Sequence, residues 1–399
     1  MEDPASKKND PILVLNSGSS SLKFGVYGSV GAGGDNDDND EAPLLTGSAD
    51  GIGRSNGTFQ IRSSDGKTLV LREDIFESQS DALTALGAAV HEHIHTAPAA
   101  IGHRVVHGGP KLRTHQLITP QVLDELRAAA HFAPLHIPQA LALIASAQKI
   151  FPSASHYACF DDAFHRTIPE IASHLPLPQR YFDAGIQRYG FHGLSYESLV
   201  HRFGGRLPER AIFAHLGNGA SLCALRNGVS IDTTMGLTPT GGIPMGTRSG
   251  DLDPGVFVYL LRNEKFGVGE PAGDVADKLE DLFNHQSGLF ALSGGESDVK
   301  TLEERIRANS ISNDAGAALA LNVFALSVRK VIGAYVALLG GVDLLVFTGG
   351  IGEHSDYIRS LAAGGLEFLG LAADKIQVVP TEEELQIARH CHRMMMETR

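Results

Sequence analysis

An arginine inside an apolar strand is costly to bury, and glycines on either side make it easy to approach. This chain has one such arginine, Arg104, in Ala100-Ile-Gly-His-Arg-Val-Val-His-Gly-Gly109. A structural ion pair would account for its burial, whereas the flanking glycines favour an anionic ligand that comes close. Arg248 stands between glycines in Gly246-Thr-Arg-Ser-Gly250, followed by Asp251 and Asp253, either of which would serve to hold its guanidinium. Forked cations so placed suit phosphate or carboxylate oxygens. The run His156–Phe160 ends in Asp161-Asp162. A carboxylate at the carboxyl end of a strand in an α/β sheet lies at the usual edge of a site, although either aspartate could cap the next turn. His192, between Phe191 and Gly193, reads equally as a packed core histidine and as a donor to an anion.

These side chains need rigid elements beneath them. Ile212–Ala214 is an apolar run that enters a turn at His215, Gly217, Asn218 and Gly219, and Leu222–Leu225 leaves it. That is a hairpin with a bare backbone tip, open to phosphate oxygens. Near the N-terminus Ile12–Leu15, the hydroxyl-rich turn 16–21 that starts at Asn16, and the strand Leu22–Tyr27 with Lys23 repeat the design. Two such hairpins half a chain apart suggest duplication and two like domains facing one cleft.

Short runs at Gly57–Arg62 and Thr68–Arg72 continue an antiparallel meander, and helical spacing begins near Ser80. Thr119-Pro120 opens one helix as N-cap and first helical residue; Pro138 opens the next, which carries Ala140–Ile150. Between them lies the rigid, half-apolar loop Ala133-Pro-Leu-His136. Ala315–Phe347 is apolar but broken by Arg329-Lys330 and Gly340-Gly341, as in a buried helix followed by a strand. That strand, Val342–Phe347, turns into Thr348-Gly-Gly-Ile-Gly-Glu-His354. Gly350-x-Gly352 is half of a dinucleotide fingerprint without its third glycine, and the Walker pattern is absent; a non-Walker nucleotide cleft fits better. Thr381 and Glu384 are spaced for a capping box, which leaves Glu383 free.

Two stretches have bland readings. His91, His93 and His95 lack a partner at metal-ligand spacing and fit a surface helix; the acidic run 31–41 lacks EF-hand spacing and fits an exposed hairpin tip. With 399 residues, two domains are expected. A net charge of −13 with no cluster of Lys or Arg argues against nucleic-acid or anionic-membrane partners, so negative substrates must be drawn by local cations. Cys159, Cys223 and Cys391 are scattered, as in a reducing compartment, and the polar residues 1–11 carry no apolar signal segment, so a cytoplasmic location is expected.

Seven stretches occur in one order: L-N-S-G-S-S-S-L-K-F (15–24), G-H-R-V-V-H-G-G (102–109), F-D-D-A-F-H (160–165), R-Y-G-F-H-G (188–193), H-L-G-N-G (215–219), M-G-T-R-S-G-D-L-D-P (245–254) and F-T-G-G-I-G-E (347–353). With them the chain resembles the acetate kinase family over nearly its whole length. The resemblance implies an α/β fold of two duplicated actin-like (ribonuclease H-like) domains, with mixed sheets flanked by helices and an active-site cleft between them. The expected boundaries are 1–163 and 164–383, with the closing helix 384–399 returning to the first domain. It implies a homodimer and phosphoryl exchange between ATP and acetate that depends on Mg2+, or on Mn2+ in its place.

The same resemblance assigns roles. Arg104, Asp161, His192 and Arg248 fall on catalytic positions; Val106, Leu135, Phe191 and Pro239 wall the acyl pocket, with Arg104 and His136 near the substrate. Lys23, His215, Leu216, Gly217, Asn218, Gly219, Asp298, Val299, Lys300, Gly350, Ile351, Gly352, Glu353 and His354 face the nucleotide, while Asn16 and Glu383 bind the metal. Departures stand at Ile137 (commonly asparagine), Asp162 (threonine), Thr240–Pro244 (bulkier residues), Lys300 (arginine) and His354 (asparagine). A negative charge at Asp162 would raise the pKa of its neighbour, and the Thr240–Pro244 change leaves propionate or butyrate as an alternative acceptor. A non-catalytic actin-like nucleotide module would leave Arg104, His192 and Arg248 unexplained.

Overall fold

The computed structural model describes residues 10–18, 20–28, 41–263, 271–308 and 314–397; apart from Glu41, the acidic stretch lies outside them. The chain divides into two compact units, Met1–Phe164 with Gly193–Ser198 and Glu382–Arg399, and His165–His192 with Leu199–Thr381. Phe164, Gly193–Ser198, Glu382 and Glu383 therefore fall in the first unit, outside the boundaries read from sequence.

The first unit is built on β1 (Ile12–Ser17), β2 (Ser21–Tyr27), β3 (Pro43–Asp50), β4 (Gly57–Ser63), β5 (Thr68–Asp74), β6 (Ala100–Val105), β7 (Gln116–Leu117) and β8 (Ser155–Phe160). They form one sheet in the order β5-β4-β3-β2-β1-β6-β8-β7. Strands β1 to β5 are the antiparallel meander, while β1, β6 and β8 run parallel. Strand β1 reads as an unbroken apolar run because both of its faces are buried. Leu13 and Leu15 pack under the helices Gln79–His93 and Ile137–Ile150; Ile12 and Val14 pack on the opposite face, against Ile387, Ala388 and Cys391 of the closing helix Glu383–Glu397. That helix lies close across β6. A methyl group on Gly102 would stand 2.4 Å from the Ile387 Cγ2 and 2.8 Å from the Cys391 Sγ, so the strand needs glycine there.

The second unit carries β9 (Arg210–Leu216), β10 (Ala220–Arg226), β11 (Val229–Thr233), β12 (Leu344–Thr348) and β13 (Ile376–Val378) in the order β11-β10-β9-β12-β13. Here too a hairpin and its third strand are antiparallel, β12 joins in parallel on the hairpin's first strand, and β13 joins in parallel on β12. The order matches β3-β2-β1-β6-β8 strand for strand, which is the duplication that the two hairpins suggested. The helix Ala315–Leu339 is long and apolar enough to cross a membrane. Its buried residues recur at helical spacing from Ala317 through Leu321, Phe324, Val328 and Ile332 to Leu339, and it packs on β9, β10 and the helices Gly288–Ser293 and Asp356–Ala363.

Two local expectations change. Gly349–His354 is a short helix, where the glycines had read as a turn. The closing helix begins at Glu383, and the Glu384 carboxylate accepts from the Asn16 side chain, so capping does not account for Glu384.

Candidate active site

Side chains two apart on a strand share a face. Asn16 follows Ile12 and Val14, Arg104 follows Ala100 and Gly102, and Asp161 continues from Tyr157 and Cys159 just past the end of β8. The parallel register pairs Leu15 with His103 and Arg104 with Cys159. The carboxyl ends of three neighbouring strands thus carry Asn16, Arg104 and Asp161 on the face covered by the closing helix, whose first turn brings Glu383 and Glu384. The Arg104 Nε and Nη2 donate to the Asp161 Oδ2 at 2.9 and 2.5 Å, and its Nη1 donates to the Asn16 Oδ1 (3.2 Å) and the Ser17 carbonyl (3.4 Å). The Asn16 Nδ2 donates to Glu383 (3.1 Å) and Glu384 (2.7 Å).

Burial pushes the Asp161 carboxyl up, to about 6, past the opposing pull of Arg104, and Glu383 and Asp162 push the same way. Its Oδ1 is buried without a hydrogen-bond partner, an expensive arrangement unless a ligand completes it. Asp162 faces elsewhere. Its Oδ1 is unpartnered too, but its Oδ2 is buried against His107 (3.2 Å), the Gly108 amide (3.4 Å) and Arg113 (3.7 Å), away from Asn16 and the closing helix's carboxylates. The oxygens of Asn16, Asp161, Glu383 and Glu384 are the hard donors that Mg2+ or Mn2+ takes, and the unpartnered Asp161 oxygen fits such an ion. Val106, Leu135 and His136 are partly exposed, and Lys23 is exposed on β2.

In the second unit the β9–β10 hairpin pairs His215 with Ser221 across its tip. His192 sits at a left-handed φ of 59°, a backbone strain that clusters at functional sites. Its Nδ1 meets the Ser221 hydroxyl at 2.8 Å, and its ring stacks on His215 with centroids 4.2 Å apart. A methyl group on Gly219 would stand 3.3 Å from the His192 Nε2 and 3.4 Å from the Arg248 Nη1. The bare tip, an imidazole and a guanidinium therefore converge, as an anion site requires.

Arg248 is held from below. The amides of Ser287, Leu289 and Phe290, at the start of the helix Gly288–Ser293, donate to the carbonyls of Thr247, Met245 and Gly246, and the Arg248 Nη1 donates to the Pro239 carbonyl at 3.2 Å. Asp251 and Asp253 accept from the backbone amides of Gly242 and Gly255. Phe191 and Pro239 are buried.

The remaining nucleotide candidates occupy two helix starts. Asp298 caps the helix Val299–Ala308 by accepting from the Thr301 amide (2.8 Å), with Lys300 exposed beside it. Glu353 accepts from the Gly349 amide (3.0 Å), while Gly350 and His354 are exposed, Ile351 is partly exposed and Gly352 is buried. Sequence reasoning missed Glu384, hidden by its capping-box spacing, and Ser221. The signal for Ser221 was its place opposite His215 in the hairpin.

A family model described as "Acetokinase family" matches residues 11–389. The chain is 39% identical to the acetate kinase of Nitrobacter hamburgensis over 97% of both chains, and 35% identical to that of Acetivibrio thermocellus over 96% and 99%. Among solved structures it is similar to Porphyromonas gingivalis acetate kinase (TM-score 0.79, 32% identity, 97% and 100% of the two chains covered). It is also similar to a propionate kinase from Francisella tularensis (TM-score 0.83, 32% identity, 96% and 100%).

Proposed function

This chain belongs to the acetokinase family, and we propose that it catalyses reversible, metal-dependent phosphoryl transfer from ATP to acetate, giving acetyl phosphate and ADP. The observation that carries the reading is the pair of residue sets, Arg104–Asp161 with Asn16, Glu383 and Glu384 in one unit and His192–Arg248 around Gly219 in the other. Phosphoryl transfer asks for charge neutralisation and alignment more than for covalent protein chemistry.

An acetate oxygen forms the new bond to the γ-phosphorus as the bond to the β–γ bridging oxygen breaks, and ADP leaves with that oxygen. Acetate is already ionised at neutral pH, so no proton has to move. Arg104, His192 and Arg248 stabilise the phosphoryl group in flight, and Asp161 holds the Arg104 fork and orients the acceptor. Asn16, Glu383, Glu384 and Asp161 would hold the divalent ion, which would supply neutralisation of the phosphate charge. Lys23, the His215–Gly219 tip, Asp298–Lys300 and Gly350–His354 take the nucleotide.

Val106, Leu135, Phe191 and Pro239 wall the acyl pocket. The propionate kinase likeness favours one second reading, a longer acid as preferred acceptor. A hydroxamate trap with ATP, Mg2+ and formate, acetate, propionate or butyrate decides: acetate should give the highest kcat/KM, and Val106→Ala should shift preference toward propionate, since a methylene in an apolar pocket is worth about 1–3 kcal/mol. A propionate optimum in the unmodified chain would select the second reading.

The chain acts as a homodimer in this reading. Support comes from the helix Pro254–Asn263, on which Val256, Phe257, Val258, Tyr259 and Leu261 are all exposed, more apolar surface than a free helix carries. Three buried free cysteines fit a cytoplasmic location.

A further inference from the structure

In the first unit, where the closing helix meets the end of β8, three titratable side chains come together that the proposed chemistry does not use. The Glu197 Oε2 lies 2.7 Å from the His390 Nε2 and 3.6 Å from the His115 Nε2, and the two imidazoles lie 4.0 Å apart between centroids. Their ligand atoms fall within 4.8 Å of one another, the spacing of a two-histidine, one-carboxylate metal site. The other ring nitrogens argue against a metal. A ligating histidine gives its lone pair to the metal and donates its second N–H to an acceptor. Here the His115 Nδ1 accepts from the Phe160 backbone amide (3.0 Å), and the His390 Nδ1 faces Arg393, which is always a donor, at 2.9 Å. Both rings are therefore neutral with the proton on Nε2, and both present it to Glu197. Burial, which pushes His390 down to about 4, agrees with the neutral form. The Gln386 amide nitrogen also approaches the His390 Nε2, at 3.2 Å, the longer of its two contacts.

The connections of this triad are specific. His115 holds the amide of Phe160, the residue before Asp161. His390 lies seven residues after Glu383, on the same side of the closing helix. Glu197 joins the two, and the next residue, Ser198, accepts the Glu382 amide on its hydroxyl (3.2 Å) at the start of that helix. We propose that Glu197, His115 and His390 are positioning residues that set the closing helix against the end of β8, and so fix the spacing of Glu383 and Glu384 from Asp161. This rests on the reading that Glu383 and Glu384 hold the divalent ion.

The test compares Glu197→Gln, His390→Leu and His390→Gln with Glu383→Gln in Mg2+ titrations of the full-length enzyme. Glu197→Gln and His390→Leu should raise the Mg2+ concentration for half-maximal rate about tenfold, as loss of an outer partner of a metal site does. Their kcat at saturating Mg2+ should stay within about threefold of the parent, a split that general loss of folded protein would not produce. His390→Gln, which keeps an N–H donor, should stay near the parent value; this pair carries the test if Glu197→Gln does not fold. An unchanged Mg2+ dependence in Glu197→Gln and His390→Leu, with a raised one in Glu383→Gln, would overturn the positioning role alone. An unchanged Glu383→Gln would overturn the metal reading and this inference with it. Imidazole 15N spectra should show Nε2–H tautomers at His115 and His390; Nδ1–H tautomers, or loss of both signals on adding Zn2+, would instead make the triad a metal site.

Discussion

Asp161 and Asp162 are adjacent buried carboxylates, each with its Oδ1 unpartnered, and they differ in what holds the other oxygen. Asp161 is bound to the Arg104 fork with one oxygen left over, and Asp162 is enclosed by His107, Arg113 and the Gly108 amide. Asp161→Asn should cost at least about a hundredfold in kcat, the usual size for a positioning group; Asp162→Asn should cost little at neutral pH. The pH dependence adds a sign. The Asp161 carboxyl is raised to about 6, so its ionised form is lost as pH falls through that value, and kcat should fall with it. Asp162→Asn removes one of the upward pushes and should move this acid limb to lower pH. A kcat–pH profile of both variants checks it; an acid limb unmoved in Asp162→Asn would remove the coupling. Arg248 makes the matching case in the second unit. Arg248→Ala should lower kcat by roughly 10³-fold with ATP affinity and thermal midpoint little changed, and lysine should rescue poorly because a point charge cannot replace a fork. A fall in thermal midpoint with normal turnover per folded molecule would make Arg248 a loop tie instead.

At the scale of elements, strand parity and one close crossing align the site. The sequence showed Arg104 as an arginine in a glycine-bounded strand and Asp161 at a strand end, because each breaks an apolar run that must be explained. It could not show that Asn16, Arg104 and Asp161 share a face, since that depends on which strands neighbour one another and in what register. Glu384 was misread for a related reason: a capping-box spacing is local, whereas its Asn16 contact joins residues at opposite ends of the chain. The Glu197 triad was invisible in sequence, its members being scattered between positions 115 and 390. The crossing itself is testable. Gly102→Ala places a methyl 2.4 Å from Ile387, so it should destabilise the protein by about 1–3 kcal/mol in urea titrations and raise the Mg2+ requirement, because the displaced helix carries Glu383 and Glu384. Undiminished stability would mean that the helix can ride over the strand without loss.

At the scale of the whole molecule, the same strand order appears in both sheets, and each unit carries its own set at strand ends: those of β1, β6 and β8 in one, the tip of the β9–β10 hairpin in the other. The exposed apolar helix Pro254–Asn263 belongs to this scale too. Sedimentation should give a mass near twice the chain's 42.4 kDa, and Val258→Arg should shift it toward the monomer. A monomeric parent would leave that helix without a role. The central claim is chemical, and 31P NMR of the purified chain with ATP, Mg2+ and acetate tests it most directly. Acetyl phosphate should appear in step with ADP, only when acetate and the metal are both present, and adding ADP to acetyl phosphate should regenerate ATP. Inorganic phosphate released from ATP without any acyl phosphate, at a rate indifferent to acetate, would contradict the account.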